Sequence, residues 1–404
     1  MARILLAWEL GAGLGHVAPL RVLARELRQR GHACVFALRD LAMAEEFLEP
    51  ELGPVVQAPL NLGAIHHAVK TQVSYASLLH NTGFDDAAGL AARLRAWREI
   101  VHTHACDLVI TDHAPTAVVA AWGLHRPALQ LGTGFTVPPV QQPFPLFRED
   151  LKVDRDILLN NEAAVLEVLA RAHARLQLPA PDTLQQPFSH AHPALLTYVE
   201  LDHYCNTRSG PYLGLPHIAQ GAAPQWPAGN GPRLFAYLRP SKQFHALLAA
   251  LQRLPARVLV RVGDIAADTL RGFERPGLRI TEELIDLRQA AADCDAFVGY
   301  GAHGATAEML LAGKPVLLVP NTQEQGLVAL RAQQLGAGLT PPLTGSFNLS
   351  AALRQLLDDA ALKKAAENFA ARHAQQARGE IIPDLARHAL GLIKTPSRDA
   401  PADS

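Results

Sequence analysis

The sequence predicts an α/β fold built from two Rossmann-like domains. Two stretches read as strand, glycine-rich turn, helix and second strand, one from Ile4 to Leu38 and the other from Ala296 to Pro320. Apolar residues run continuously through the strands and recur at helical spacing between them, which is typical of βα units in a parallel sheet. The stretch from Pro216 to Pro232 is rich in proline, glycine and alanine and reads as a linker.

These features predict where the chain divides. We expect a first domain over residues 1–218, a linker over 219–231 and a second domain over 232–380. An apolar helix over 381–394 and a disordered tail over 395–404 follow.

The elements follow from apolar runs of strand length, helical periodicity, and the glycines and prolines that end them. The predicted strands are Ile4–Trp8, Cys34–Leu38, Asp107–Asp112, Pro127–Leu131, Arg233–Leu238, Arg257–Val262, Leu278–Thr281, Ala296–Val298 and Val316–Pro320. The main predicted helices are Val17–Leu27, Val69–Leu79, Leu90–His104, Thr116–Trp122, Arg155–Leu176, Phe244–Leu254, Leu287–Cys294, Gln325–Leu335, Ala351–His373 and Ile381–Ile393. The stretch that follows the helix Arg155–Leu176, up to Leu215, reads as loop-rich.

Composition limits the classes of function. The 404 residues are 49% hydrophobic and 19% charged with a net charge of −1, so we expect a globular protein and no nucleic-acid partner. The four cysteines (Cys34, Cys106, Cys205 and Cys294) are far apart, which argues against a zinc cluster or disulfide framework and fits a reducing cytoplasm. No apolar run has the length of a signal peptide or a transmembrane segment, and peripheral membrane contact stays open.

The turn of the second half carries the strongest functional signal. Glycines 299, 301 and 304 allow close approach of a ligand, and the N-terminus of the following helix favours an anion such as a diphosphate. Glu308, one turn into that helix, suits a pair of ribose hydroxyls. The alternative is a plain βαβ unit whose glycines serve only tight packing.

These residues resemble a known family. Tyr300 to Glu308, Gly313-Lys-Pro315, Pro320, Glu324-Gln325 and Leu335 to Gly338 are similar to the donor-binding block of GT-B glycosyltransferases of family 1, the bacterial relatives of macrolide and flavonoid glycosyltransferases. The resemblance implies a GT-B fold, in which two Rossmann-like domains face a central cleft. It also implies a second domain that binds the nucleotide-sugar and a last helix that crosses back to a first, acceptor-side domain. It implies no cofactor besides the UDP- or dTDP-linked donor.

The resemblance also assigns the donor residues. Those it places in contact with the donor are Tyr300, Gly301, His303, Gly304, Ala305, Thr306 and Glu308, with Glu324 and Gln325 on the sugar hydroxyls. Family members carry a histidine where this chain has Tyr300, so either the tyrosine hydroxyl or the helix N-terminus takes over the contact with the diphosphate. The alternative for Glu324 and Gln325 is the first turn of a helix, where an acid suits the dipole.

The N-terminal loop resembles the one that opens the first helix in GT-B transferases, here Gly15-His16-Val-Ala-Pro19, with Gly13 and Gly15 expected at the donor. The resemblance implies that His16 is the catalytic base and Asp112 its partner. The helix dipole lowers the pKa of such a histidine and a neighbouring carboxylate raises it, so the net direction stays open. The alternatives are a histidine bonded to its own loop and an aspartate that caps the next helix.

Other polar residues carry weaker signals. Ser241, just past the first strand of the second half, is either a phosphate donor or a turn serine. His66-His67 and the pair His190 and His192 have no third ligand, and Asp358-Asp359 reads as a solvated helix face, so we expect no metal site. The proline-rich loop from Thr133 to Pro145 lies where a ligand cleft is expected, after a strand.

The sequence therefore predicts a metal-independent, inverting glycosyltransferase that moves a sugar from a UDP- or dTDP-sugar to a hydroxyl of a small-molecule or lipid acceptor. Two alternatives stay open: a nucleotide-sugar 2-epimerase of the same fold, and a non-catalytic nucleotide-sugar-binding protein. The large region over 133–215 argues against an epimerase, which binds no separate acceptor. The difference from the family at Tyr300 leaves the alternative of a non-catalytic binding protein open.

Overall fold

The computed structural model describes residues 1–218, 221–263, 265, 270, 272–342, 347–376 and 381–394. The predicted disordered tail (395–404) lies outside the described residues, as do residues 219–220 of the predicted linker. The chain forms two compact units. The first comprises Met1–Thr197, Tyr204–Pro216 and Glu380–Ser404, and the second comprises Tyr198–His203 and His217–Gly379. The short segment Tyr198–His203 lies within the predicted first domain but belongs to the second unit, which was not predicted.

The first unit is built on a six-stranded parallel sheet with the order β3-β2-β1-β4-β5-β6. Its strands are β1 (Arg3–Trp8), β2 (Ala33–Leu38), β3 (Val55–Gln57), β4 (Leu108–Asp112), β5 (Ala128–Gly132) and β6 (Ala191–Leu195). Its helices up to β6 are α1 (Leu14–Gln29), α2 (Leu41–Phe47), α3 (Tyr75–His80), α4 (Ala87–Thr103), α5 (Pro115–Gly123), α6 (Arg155–Arg175) and α7 (Gln186–His190). The order reverses between β1 and β4, so the crevice of this Rossmann-type sheet lies beyond the carboxyl ends of those two strands.

The second unit repeats this strand order. Its sheet runs β12-β11-β10-β7-β8-β9, again all parallel, and reverses between β7 and β10. The strands are β7 (Arg233–Leu238), β8 (Arg257–Val262), β9 (Leu278–Thr281), β10 (Ala296–Gly299), β11 (Val316–Leu318) and β12 (Gly338–Leu339). The described helices are α8 (Phe244–Gln252), α9 (Leu287–Asp293), α10 (His303–Leu311), α11 (Gln323–Gln334), α12 (Leu349–Asp358) and α13 (Ala360–His373).

The last described helix, α14 (Ile381–Lys394), packs in the first unit, against α1 and β4. Its buried residues Leu385, Ala386 and Ala389 join the apolar core formed by one face of the first sheet and α1. Arg30, just after α1, donates a hydrogen bond to the carbonyl of Pro383 at 3.3 Å. The core of the first unit therefore includes residues from the C-terminal end of the described chain.

Three predictions need correction, and short strands were missed. Where a helix was predicted over Val69–Leu79, the helix begins only at Tyr75 and ends at His80, and the region expected to be loop-rich contains α7 and the edge strand β6. β3 and β12 were missed because they are too short to show periodicity. The predicted helix Ala351–His373 is two helices: Asp359 accepts hydrogen bonds from the N–H groups of Ala361 (2.9 Å) and Leu362 (3.4 Å) and thereby caps α13. Asp359 is thus a capping residue and not part of a continuous helix face.

Within the described residues, none of the helices is long and apolar enough to cross a membrane.

Candidate active site

The first sheet places His16 and Asp112 at its reversal point. Asp112 is the last residue of β4 and pairs in register with Trp8, the last residue of β1. His16 lies in the first turn of α1, which begins after a loop whose Gly13 has φ 98°. The loop is held to the end of the neighbouring strand β4, since the N–H of Leu10 donates to the carbonyl of His113, the residue after β4, at 2.9 Å.

The two side chains form a hydrogen bond. Nδ1 of His16 lies 2.9 Å from Oδ1 of Asp112, and the side chains are 14% and 6% exposed. The Trp8 ring stacks on the imidazole with centroids 5.3 Å apart and planes 18° apart. A carboxylate at Nδ1 fixes the tautomer that carries its proton on Nδ1, so Nε2 is the ring atom that would take a proton from a substrate. The arrangement has the geometry of a histidine base with an orienting acid.

Gly11, which was not among the predicted site residues, sets the space for this ring. A Cβ at Gly11 would lie 2.4 Å from Nε2 of His16, and its φ of 83° is in the left-handed region. Any side chain there would push the imidazole out of its position. Of the predicted loop glycines, Gly15 faces open space, because a Cβ there meets no atom within 4 Å.

His113 is a second residue that sequence analysis missed. Its ring lies 6.1 Å from that of His16 and 5.8 Å from that of Phe135, which belongs to the proline-rich loop. Burial, together with the charges of His16 and Arg39, lowers the pKa of His113 to about 3, so the ring is neutral. Neither ring nitrogen has a hydrogen-bond partner among the described residues. Its only sequence signal is its place directly after Asp112.

Glu9 is a third missed residue, directly after β1. Its buried carboxyl accepts hydrogen bonds from the N–H (2.9 Å) and the hydroxyl (2.5 Å) of Thr116. Burial outweighs these bonds and raises the pKa of Glu9 to about 7. The carboxyl therefore links the end of β1 to the first turn of α5 beside the reversal point.

The predicted donor turn lies at the reversal point of the second sheet, where β10 ends and α10 begins at His303. Its glycines serve different purposes. A Cβ at Gly299 would lie 2.6 Å from the Phe297 ring, and one at Gly301 would lie 2.7 Å from the carbonyl oxygen of Gln325. These two glycines therefore serve internal packing, contrary to the expectation that all three approach a ligand. A Cβ at Gly304 meets nothing within 4 Å, so this position alone of the three opens outward.

The helix α10 divides the predicted donor residues between its inner and outer sides. Ala305 and Thr306 are buried, and the Thr306 hydroxyl donates to the carbonyl of Ala302 at 2.8 Å, so that hydroxyl serves the helix. Desolvation lowers the pKa of the half-buried His303 ring to about 4. Glu308 is half-buried, and desolvation raises the pKa of its carboxyl, although nearby Arg288 opposes this. Among the described residues its carboxylate forms no hydrogen bond or ion pair, which suits a group that receives a ligand.

Gln325 serves the start of α11. Thr322 and Gln325 form a capping box in which the Gln325 amide oxygen accepts from the N–H of Asn321 at 2.9 Å and from that of Thr322 at 3.3 Å. This oxygen is therefore engaged in the helix cap. A role in the first turn of a helix is the alternative to sugar binding that the sequence left open for Gln325. Glu324 lies in the same first turn.

Ser241 lies in the turn between β7 and α8, half-buried, and its carbonyl accepts from the N–H of Phe244 at 3.2 Å. In the part of the chain that the structure describes, no three His, Cys, Asp or Glu side chains are placed to hold a metal ion.

Comparisons with known proteins bear on the family resemblance and on the fold. Residues 245–387 match the family model of the erythromycin biosynthesis protein CIII-like C-terminal domain, which confirms the resemblance of the second half to the macrolide enzymes. Solved structures align over nearly the whole chain. CalG4, the calicheamicin glycosyltransferase, has 21% identity and a TM-score of 0.71, covering 99% of each chain. The fold is GT-B.

Two further solved structures are similar in fold over most of the chain. The glycosyltransferase VinC in complex with dTDP has 17% identity and a TM-score of 0.66, covering 97% of this chain and 99% of its own. The spinosyn rhamnosyltransferase SpnG with spinosyn aglycone has 17% identity and a TM-score of 0.66, and the alignment covers 95% of this chain and 99% of the SpnG chain. A comparison with curated protein sequences finds no significant match.

Proposed function

We propose that this protein is a metal-independent, inverting glycosyltransferase that moves a sugar from a UDP- or dTDP-linked donor to a hydroxyl of a small-molecule or lipid acceptor. The observation that carries the proposal is the hydrogen bond of 2.9 Å between His16 and Asp112 at the reversal point of the first sheet. A nucleotide-binding protein needs no such base, whereas transfer to a hydroxyl does.

The proposed reaction assigns each group a step. Nε2 of His16 takes the proton of the acceptor hydroxyl as its oxygen attacks the anomeric carbon from the side opposite the leaving group. The bond from that carbon to the diphosphate oxygen breaks, the nucleoside diphosphate leaves, and the configuration at the anomeric carbon is inverted. Asp112 stabilises the imidazolium that forms, and the N-terminus of α10 stabilises the charge that grows on the diphosphate.

The relatives support the choice of substrates. VinC was solved with dTDP and SpnG with an aglycone, so the same fold takes a nucleoside diphosphate and a small-molecule acceptor. In this chain Glu308 would bind the ribose hydroxyls, because its partly accessible carboxylate lies on the helix that begins at the donor turn. The partly buried Tyr300 replaces the family's histidine.

A donor panel tests the proposal. UDP- and dTDP-sugars are incubated with the protein, with water as fallback acceptor and with EDTA in half of the samples, and NMR identifies the products. We expect release of nucleoside diphosphate and of sugar with inverted anomeric configuration, unaffected by EDTA. Sugar with changed configuration at C2 would instead identify an epimerase, and donor binding without turnover a binding protein.

A further inference from the structure

Two arginines and two tyrosines meet at the reversal point of the second sheet, next to the donor turn. This arginine–tyrosine cluster consists of Tyr237 on β7, Arg239 directly after β7, Arg261 on β8 and Tyr300 directly after β10. Tyr237 pairs in register with Arg261 on one side and with Gly299 on the other, so three neighbouring strands bring these residues together.

The aromatic rings fix the positions of both guanidinium groups. Cζ of Arg261 lies 4.8 Å from the centroid of the Tyr237 ring, and its Nη1 donates to the Tyr237 hydroxyl at 3.1 Å. Cζ of Arg239 lies 5.4 Å from the centroid of Tyr300, and the two tyrosine rings meet edge to face at 5.4 Å. Cation–π contacts of this kind hold a guanidinium without neutralising its charge.

Neither arginine has an anionic partner in the part of the chain that the structure describes. The Nε atoms of both are buried without a hydrogen-bond partner, and neither guanidinium pairs with a carboxylate there. Desolvating an arginine without such a partner costs free energy, and a bound anion offsets that cost. The first turn of α10, three residues beyond Tyr300, adds the positive end of a helix dipole.

We propose that Arg239 and Arg261 bind the diphosphate of the nucleotide, in a cluster where Tyr300 stands in place of the family's histidine. The proposal rests on the proposed function, because it names the groups that hold the donor's charge. Two guanidinium forks match the phosphate oxygens, and Tyr300 acts by holding Arg239 in place. The Tyr300 hydroxyl keeps its proton, because burial raises its pKa.

The test measures affinity for UDP, dTDP, uridine and thymidine by calorimetry on the full-length protein. We expect Arg239→Gln and Arg261→Gln each to weaken UDP and dTDP by about 10- to 100-fold, since hydrogen bonds to charged groups contribute on that scale. Nucleoside affinity should stay unchanged, because a nucleoside has no phosphate. Arg239→Lys and Arg261→Lys keep the charge but lose the fork, so we expect intermediate losses, and they replace any glutamine variant that does not fold.

The control variant is Arg253→Gln. Arg253 is exposed and follows α8 at the opposite end of the sheet, just before β8 begins, and this variant should bind all four compounds as the wild type does. If the wild type binds UDP and dTDP no more tightly than the nucleosides, the proposed function fails as well. If the wild type prefers the diphosphates and the arginine variants keep that preference undiminished, the cluster is structural and only this inference is wrong.

Discussion

At the scale of single residues, the candidate site depends on side chains whose environment sets their protonation. His16 is held by a carboxylate, and the neighbouring His113 is kept neutral by burial. A second positive ring 6.1 Å away would disfavour protonation of His16 during the reaction. The neutral His113 therefore leaves Asp112 as the charge nearest the proposed base.

The base and its partner should behave as one unit. We expect His16→Ala to lower the rate of transfer by about 10² to 10⁴ while donor affinity stays within a few-fold. Asp112→Asn should cause a smaller loss of the same kind, and the double variant should be hardly worse than His16→Ala. Steady-state kinetics and donor titrations measure this, with the exposed His102→Ala as control. Joint loss of donor binding and turnover in His16→Ala would place His16 in the donor site instead.

The buried carboxyl of Glu9 predicts a dependence of stability on pH. Its folded pKa of about 7 lies above the ordinary 4.5, so the folded protein holds the proton more tightly than the unfolded chain does. The stability that Glu9 contributes is therefore complete below about pH 4.5 and is lost as the pH rises through 7, by roughly 3 kcal/mol in total.

Glu9→Gln removes this titration. Relative to the wild type, we expect the free energy of unfolding of the variant to rise by roughly 3 kcal/mol between about pH 4.5 and pH 8. Urea unfolding across that range measures the difference, with the exposed Glu51→Gln as control. A constant difference between variant and wild type would show that Glu9 titrates at an ordinary pKa.

At the scale of elements, the donor turn combines glycines that hold the structure with one that leaves space. Gly301 has φ 86° and packs against the backbone of α11, whereas Gly304 lies within the first turn of α10 and faces open space. The turn is therefore rigid at Gly301 and accessible at Gly304.

These two positions form a matched pair for mutation. We expect Gly301→Ala to destabilise the protein by about 2 kcal/mol or more, because alanine is strained at this φ and its Cβ meets Gln325. Gly304→Ala should raise stability by about 0.4–1 kcal/mol through the lower entropy of the unfolded chain, yet weaken nucleotide binding by occupying the open space. Thermal unfolding and UDP titration separate the two effects. Unchanged UDP affinity in a folded Gly304→Ala variant would remove Gly304 from the donor site.

At the scale of the whole molecule, each unit carries one part of the proposed chemistry. The base and its partner belong to the first unit, and the predicted ribose, diphosphate and sugar contacts of the 300–325 region belong to the second. The first unit nevertheless requires α14, which follows the second unit in the chain.

Loss of the α14 packing should destabilise the first unit. Leu385 is 2% exposed in the core of that unit, so we expect Leu385→Ala to lower the free energy of unfolding by about 2–5 kcal/mol. The exposed Arg387→Ala on the same helix should cost less than about 1 kcal/mol. Trp8 and Trp97, both buried in the first unit, report unfolding by fluorescence. Equal effects of the two substitutions would mean that the helix contributes no core packing.

The sequence by itself determined the local elements that position the site. The βα units at 4–38 and 296–318 follow from apolar runs, turn glycines and helical periodicity, all of which act over a few residues. The same reasoning found the predicted donor turn, and the resemblance to the glycosyltransferase family implied the two residues of the proposed catalytic pair. The reasoning from patterns failed for β3 and β12, which are too short to show a pattern, and for β6, whose apolar run is interrupted by the exposed His192 and Pro193. It also failed at the break at Asp359, where a single capping residue decides.

Only the tertiary structure decided which distant residues meet. The contact between His16 and Asp112 spans ninety-six positions and exists because β1 and β4 are neighbours in the sheet, an order set by packing of the whole unit. The cluster of Arg239, Arg261 and Tyr300 likewise requires that β7 lie between β8 and β10. Strand order is a long-range property, and the periodicity of one segment carries no information about which segment lies beside it.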